Sequence, residues 1–291
     1  MIQKENNHIS YSPPITEGAI RLKGFICPRN DKKVTLKDCI NCPNECMPVP
    51  ILATLLNDRP VKEGEYHVTE LQQPRQSDYL CRNFDYYMPP NSMVDSMLGT
   101  AWHNAVANRL MQDDFDKLFA HNYEYEQTFR VVFDFATLVG TSDLYRIDRK
   151  ILWDYKTAQV YSVKMFLKNG WNDPTWDKHR KQLNIYKVYQ YPQTECLRLH
   201  IKVMGWDRLV AQELGKDKTF IRNVPILEPT EVKDYVMQRL KENIADQQSG
   251  TPPPCEKEDM WFNSKGEPMR CLYYCGGKEH CKQFQQLMEE Y

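Results

Sequence analysis

Between Leu138 and Thr157 the sequence LVGTSDLYRIDRKILWDYKT sets two aspartates and a lysine at the ends of adjoining apolar runs. VVFDFATLVG and LYRI, then ILWDY, are rich in Val, Ile, Phe, Tyr and Trp, and IDRK between the last two is polar enough to turn. The segment is therefore predicted to form strands joined by a hairpin, with Asp143 and Asp154 on neighbouring strands.

Two carboxylates brought together in this way repel each other, and a hard divalent cation such as Mg²⁺ or Mn²⁺, which prefers oxygen ligands and keeps several waters, relieves the repulsion. One such water can become a nucleophile. Lys156 follows Asp154 by two residues, so the period of a strand points both side chains to one face. An ammonium there can orient an attacking water or offset charge in a transition state. The competing interpretation of the same residues is a turn-ending Asp143 and a surface pair of Asp154 with Lys156, since D-x-K is a common triplet.

With 291 residues the chain can bury a sizeable core, either one large domain with an appendage or two small ones. The formal net charge of −1 lacks the basic excess that announces nucleic-acid binding by itself, so a DNA site would have to be a local groove. The N-terminal stretch MIQKENNHISYSPPITEGAI has no apolar core segment, and no run approaches the ~18 apolar residues of a membrane span. A cytoplasmic protein without a membrane partner is the expectation. Ten cysteines are many for such a chain, and in a reducing compartment their clustering points to metal rather than to disulfides.

Cys27, Cys39, Cys42 and Cys46 lie in the order C-x11-C-x2-C-x3-C among the turn formers Pro28, Asn30, Asn41 and Pro43. Four thiolates so placed can build a small zinc knuckle, with an iron–sulfur cluster as the alternative. The domain boundary is expected near Gln76, giving an extension over 1–76 and a main domain over 77–291.

Met93 to Phe119 carries apolar residues at three- and four-residue intervals and is predicted to be a long amphipathic helix, which sets Gly99 and His103 on one face. A lone helical histidine is more often a packed or surface residue than a ligand. RKQLNIYKVYQY is a further predicted helix, with Gln182 and Tyr186 on one face flanked by Lys178, Arg180, Lys181 and Lys187. That arrangement could hold a nucleic-acid backbone while the ring offers a stacking surface, or could be a solvated helix with one aromatic in the core. CLRLHIKVMGW and KTFIRNVPIL are predicted strands, and Glu231 to Gln247 is the last strong helix.

The final segment carries Cys271, Cys275 and Cys281 as C-x3-C-x5-C, a triplet that needs a fourth thiolate from elsewhere. Cys255 is nearest in sequence. Cys81, just ahead of the His103 helix, is preferred, because a distant ligand would bind the two ends of the main domain together.

CRNFDYY followed by GTAWH, then GTSD, DYK, QLNIY and the terminal cysteine triplet resembles the Cas4 and AddB branch of RecB-type PD-(D/E)XK nucleases, over about residues 77–283. The ordered set G-x-x-x-H, G-x-x-D, D-x-K, Q-x-x-x-Y and C…C-x3-C-x5-C carries the resemblance. It implies an α/β fold with a restriction-endonuclease-like core, a mixed central sheet flanked by helices and a [4Fe-4S] subdomain, to which the cysteine-rich metal knuckle is appended. His103, Asp143 and Asp154 are implied to ligate Mg²⁺ or Mn²⁺ with the Tyr155 carbonyl, and Lys156 to be the catalytic lysine. Gln182 and Tyr186 are implied to contact DNA, and Cys81, Cys271, Cys275 and Cys281 to hold the cluster. Many members of that branch show C-x2-C-x5-C instead, and the role of Cys255 stays open.

The activity so implied is that of a Mg/Mn-dependent deoxyribonuclease, an exonuclease on single-stranded DNA ends, working with protein partners in DNA processing, recombination or defence. The alternative is a non-catalytic DNA-binding or assembly subunit that uses the same fold and metal clusters as scaffold. A nucleic-acid-binding module with two zinc sites is a third.

Overall fold

The computed structural model describes residues 18–110, 122–207, 209, 210, 212 and 217–289. Its centre is a six-stranded mixed sheet of β3 (Glu65–His67), β5 (Tyr123–Val132), β6 (Thr137–Arg146), β7 (Ile151–Gln159), β8 (Cys196–Met204) and β9 (Thr219–Val224). β5 pairs antiparallel along nearly the whole of β6, which leaves β6 one further edge. That edge is shared: β3 lies parallel to its first residues, through Tyr66↔Leu138, and β7 lies antiparallel to its last, through Leu144↔Trp153 and Arg146↔Ile151. β8 then runs parallel to β7, and β9 antiparallel to β8.

The predicted hairpin is present, with Ile147 to Lys150 as its turn and Lys150 in the left-handed region at φ 51°. VVFDFATLVG, expected as one strand, is broken. Phe133 N–H donates to Ala136 O at 2.8 Å and the chain reverses, so Val131 and Val132 close β5 while Thr137 opens β6. Asp134 is a poor strand residue, and the rings of Phe133 and Phe135 stack at 6.1 Å within the turn.

The core follows the period of two along the strands. In β8 Leu197, Leu199, Ile201 and Val203 are each at most 1% exposed, while their neighbours are half-buried. Helices cover the sheet: α4 (Pro90–Leu110), α5 (Val160–Asn169), α6 (Pro174–Tyr189) and α7 (Pro229–Ser249). α6 starts earlier than RKQLNIYKVYQY suggests. Asp173 caps it by accepting from Thr175 N–H at 3.0 Å, and Pro174 takes the first helical position, where a missing N–H costs nothing. Trp176, Leu183, Ile185 and Tyr186 then enter the main core beside Val232, Val236 and Leu240 of α7. The predicted helix ending at Phe119 is described to Leu110, and its last residues lie outside the described residues.

The expected boundary at Gln76 is crossed twice. Tyr66, Val68 and Leu71 belong to the main core, and β3 is part of the main sheet. Conversely β4 (Tyr86–Met88) pairs with β1 (Leu22–Ile26), which with β2 (Lys33–Val34) makes a small second sheet. Phe25, Leu52 and Leu55 form that sheet's own cluster, and Met93, Val94 and Met97 from the start of α4 pack against it. The two parts are thus interleaved rather than strung in series. Among the described residues no helix is long and apolar enough to cross a membrane.

Candidate metal centre

Because β3 occupies the other half of the edge of β6, β7 cannot stay paired along all of it. The β6–β7 ladder ends at Leu144↔Trp153, and the next pair, Asp143 and Asp154, stands at the fork. Beyond the fork the N–H of Tyr155 donates to Asp143 Oδ2 at 2.6 Å instead of to a backbone carbonyl of β6. A side chain thus closes the opening, and it fixes one oxygen of Asp143 while leaving the other directed elsewhere.

That second oxygen faces α4. Gly99 brings the helix against β7, since a Cβ there would stand 3.3 Å from Thr157 Oγ1. One turn later His103 reaches down, and its Nδ1 lies 3.3 Å from Asp143 Oδ1. Burial works against a charged imidazole at this point, yet the hydrogen bond and charge of Asp143 outweigh it and raise the pKa of His103.

Gly140 serves the opposite strand. It pairs with Phe129, and a Cβ at Gly140 would fall 2.4 Å from Phe129 Cε1 and 2.9 Å from Tyr186 Cε1. No larger residue lets both rings approach β6 so closely.

Asp154 continues the face of β7 that carries Leu152 into the core, and it is 1% exposed. Its Oδ2 lies 2.8 Å from the Lys156 Nζ, an ion-pair contact without good hydrogen-bond geometry, and its Oδ1 meets no donor at all. Burial raises the Asp154 pKa although Lys156 counteracts it. For Lys156 burial acts downward, but the charges of Asp154 and Asp143 prevail and hold the ammonium protonated. A surface cross-strand pair is excluded by this burial.

One residue of the site was not foreseen. Glu126 on β5 stands opposite Asp143, and donor atoms of His103, Glu126 and Asp143 lie mutually within 4.8 Å. Its φ of 49° is a left-handed conformation that a glutamate in a strand adopts only under constraint. Burial and then the charge of Asp143 raise its pKa. Glu126 escaped notice because YEYEQTF supplies alternating acids on an ordinary strand, and nothing in that spelling marks which acid faces the fork.

The three donors fit a hard divalent cation, as does the orphaned Oδ1 of Asp154, a buried acceptor that a cation would satisfy. Asp154 itself stands outside the closest group, paired with Lys156. His103, Glu126, Asp143, Lys156, Gln182 and Tyr186 line one cavity together with Arg59 and Asn104.

Gln182 and Tyr186 therefore reach the site, but not as a surface for stacking. They are 7% and 3% exposed, Gln182 Nε2 donates to Tyr186 Oη at 2.9 Å, and the tyrosine ring meets Phe129 edge-on at 6.0 Å. The spacing that puts both on one helical face also turns that face inward, so a base cannot lie on the ring.

The four N-terminal cysteines line one cavity above Phe25 and Leu52. Burial and then the charges of Cys46, Cys42 and Cys27 raise the pKa of Cys39.

No family model matches the chain, and no curated protein does. Solved structures similar to it include the protein designated SSO0001, at 14% identity and a TM-score of 0.45, covering 80% of this chain and 94% of that one. An alkaline exonuclease from Laribacter hongkongensis aligns at 11% identity and a TM-score of 0.41, over 64% of this chain and 91% of that one. A phage-related exonuclease from Haemophilus somnus 129PT aligns at 13% identity and a TM-score of 0.31, over 52% of this chain and 72% of that one.

Proposed function

We propose that the chain is a metal-dependent DNA nuclease that hydrolyses phosphodiester bonds at single-stranded ends. The observation that carries this is the fork between β6 and β7, where His103, Glu126 and Asp143 converge beside the buried Asp154–Lys156 pair. A scaffold has no use for an orphaned carboxylate oxygen or for a strained glutamate, whereas a hydrolytic centre uses both.

Mg²⁺ or Mn²⁺ would be held by His103, Asp143 and Asp154, with Glu126 as a further oxygen donor and the Tyr155 carbonyl nearby. When bound, the cation supplies charge against the phosphate oxygens and acidifies a water. Asp143 presents one oxygen because Tyr155 N–H holds the other. His103 is kept in line by that same carboxylate. Lys156 lines the cavity as a permanent cation, and orients the water or offsets the charge that develops on the phosphate. Gln182 holds Tyr186 Oη at the cavity wall, so the pair positions the floor of the site rather than stacking a base. Partner proteins in DNA processing belong to the same proposal.

The test is an assay on single-stranded, duplex and circular single-stranded DNA, each labelled at one end where an end exists. Cleavage of the linear single strand in Mg²⁺ or Mn²⁺, abolished by EDTA, is expected. Equal cleavage of the circle would remove the requirement for an end, and no cleavage with either metal would remove the proposal.

A further inference from the structure

The chain between Leu22 and Leu55 is folded around little core. Its fully buried side chains are those of Phe25, Leu52 and Leu55, and α1 (Leu36–Ile40) buries none. A helix of five residues is well short of the ~12–15 that persist alone in water, and β2 supplies only two residues to its ladder. Stretches below about 40 residues usually need a disulfide, a metal or a partner surface to hold their fold. All ten cysteines are free, so no disulfide serves here.

Local hydrogen bonds set four cysteines at the bends of this stretch. β1 and β2 form a hairpin through Phe25↔Val34 and Ile26↔Lys33, and Cys27 opens its turn: Cys27 N–H donates to Lys32 O at 2.8 Å, while its own carbonyl accepts from Asp31 N–H at 2.9 Å. Asp31 takes the left-handed angle φ 55° to make that turn. Thr35 then starts α1 with a capping box, Thr35 N–H donating to Asp38 Oδ2 at 2.8 Å and Asp38 N–H to Thr35 Oγ1 at 3.3 Å. Cys39 lies in the last turn of α1, and Cys42 N–H donates to its carbonyl at 3.2 Å, so the two are joined by one helical turn. Cys46 follows in the loop before α2 (Val49–Leu55). A thiol turns about one side-chain bond, so the backbone governs what the four can hold together. The backbone sets all four on one cavity, beside Phe25, Leu52 and Pro90, the first residue of α4. Three of the thiols are half-buried and Cys46 is exposed, which leaves an ion a way in.

The donor set selects the ion. Asp38 is engaged by Thr35, and the four sulfurs come from a hairpin turn, a short helix and the loop after it, a set that suits tetrahedral Zn²⁺. Mg²⁺ or Mn²⁺, proposed for the fork, prefers oxygen donors, so the two sites draw different ions from one solution. Zinc takes thiolates, and its binding passes the proton of each thiol to water, so uptake weakens as pH falls. The C-terminal thiols stand apart from this set. Cys255, Cys271, Cys275 and Cys281 line another cavity, and Cys81 on α3 (Arg75–Asn83) adjoins them, its thiol raised first by burial and then by the charge of Cys275.

We infer that Cys27, Cys39, Cys42 and Cys46 bind one Zn²⁺, and that this ion braces the N-terminal module and, through it, the start of α4. The assignment does not rest on the nuclease proposal. The ion ties the hairpin, α1 and the loop into α2 to one point, which supplies what the small core lacks. Pro90 lines the thiol cavity, and Met93, Val94 and Met97 pack on the cluster of Phe25. The first turns of α4 therefore stand on the braced module, and Gly99 and His103 lie further along the same helix. The zinc is structural and takes no part in the chemistry of the fork.

The experiment is elemental analysis of the full chain purified with zinc present, beside Cys39→Ser, Cys42→Ser and, as the control, Cys271→Ser. One zinc per chain is expected, lost from Cys39→Ser and Cys42→Ser and kept in Cys271→Ser. Co²⁺ in its place should give the intense visible bands of a tetrahedral thiolate site, absent from the first two variants. A wild type without zinc, zinc retained in full by Cys39→Ser and Cys42→Ser, or iron with acid-labile sulfide lost from those two variants would each overturn the assignment. Should a variant fail to fold, differential alkylation of the wild type decides. Protection of Cys27, Cys39, Cys42 and Cys46 together, lost when a zinc-selective chelator is added, is the expected result, and equal labelling in both states would overturn it. Hydrogen exchange tests the brace. Chelation should speed exchange about tenfold or more between Leu22 and Leu55 and in the first turns of α4 while β8 keeps its protection, and unchanged exchange there would overturn the structural role.

Discussion

Removing the Lys156 side chain, as in Lys156→Met, tests how the fork is built. The ammonium nitrogen lies 2.8 Å from Asp154 Oδ2, and that carboxylate is 1% exposed with no other donor on either oxygen. At an effective dielectric of about 20 the attraction across this distance is about 6 kcal/mol, most of it offset by the cost of taking both charges out of water. The pair is therefore of small net benefit, but breaking it is costly, about 3–5 kcal/mol, because one charge stays buried without a partner. Lys156→Met alone should lower the unfolding free energy by that amount in EDTA, and Asp154→Asn should cost a similar amount by stranding the ammonium. The double variant should recover most of the loss. Urea unfolding of the four proteins gives the coupling energy directly. A coupling below about 0.5 kcal/mol, the range of exposed pairs, would refute the burial argument and restore the pair to the surface.

The other predictions concern single groups. Glu126→Gln keeps the fold and weakens Mn²⁺ binding by about tenfold or more, read by calorimetry, if Glu126 is a donor to the metal; unchanged affinity would show that it only crowds the fork. Gly140→Ala forces Phe129 or Tyr186 to move and should lower stability by about 1–3 kcal/mol, visible as a fall in Tm, while Gly140→Ala in a Phe129→Leu background should cost less. The pKa of His179 is lowered to about 3, first by burial and then by the charge of Lys156. In the native state this imidazole stays neutral while the unfolded chain takes up a proton below about pH 6.5, so its contribution is complete above that value and is lost as pH falls from there toward about 3. A His179→Gln chain should show a shallower loss of stability across that window, and an identical slope would argue against a buried neutral histidine.

What could be read from the sequence follows from how local each signal is. Asp143, Asp154 and Lys156 were legible because the hairpin and the period of two are local properties, and the expected contact of His103 with them required only that one helix cross one strand. The fork itself was not legible. It exists because β3 competes for the edge of β6, and a three-residue strand more than seventy residues away leaves no periodic trace. Glu126 was missed for the same reason, being marked by its partner strand and by its backbone angle alone. Gln182 and Tyr186 were seen as a pair on one face, but a four-residue spacing cannot tell which side of an amphipathic helix is inside. Strand pairs cross Gln76 in both directions, β1 with β4 and β3 with β6, and such pairing leaves no trace in composition. Cys81 and Cys255 could not be separated by spacing at all.

The central claim is that the fork hydrolyses DNA with its own side chains. The most direct measurement compares wild type, Asp143→Ala and Lys156→Ala on end-labelled single-stranded DNA, with Mg²⁺ or Mn²⁺ and with EDTA, each protein first shown to be folded by circular dichroism. Metal-dependent cleavage by the wild type, lost in both folded variants and in EDTA, is the predicted result. Undiminished cleavage by folded Lys156→Ala, or a wild type that binds the DNA and leaves it intact with either metal, would contradict it.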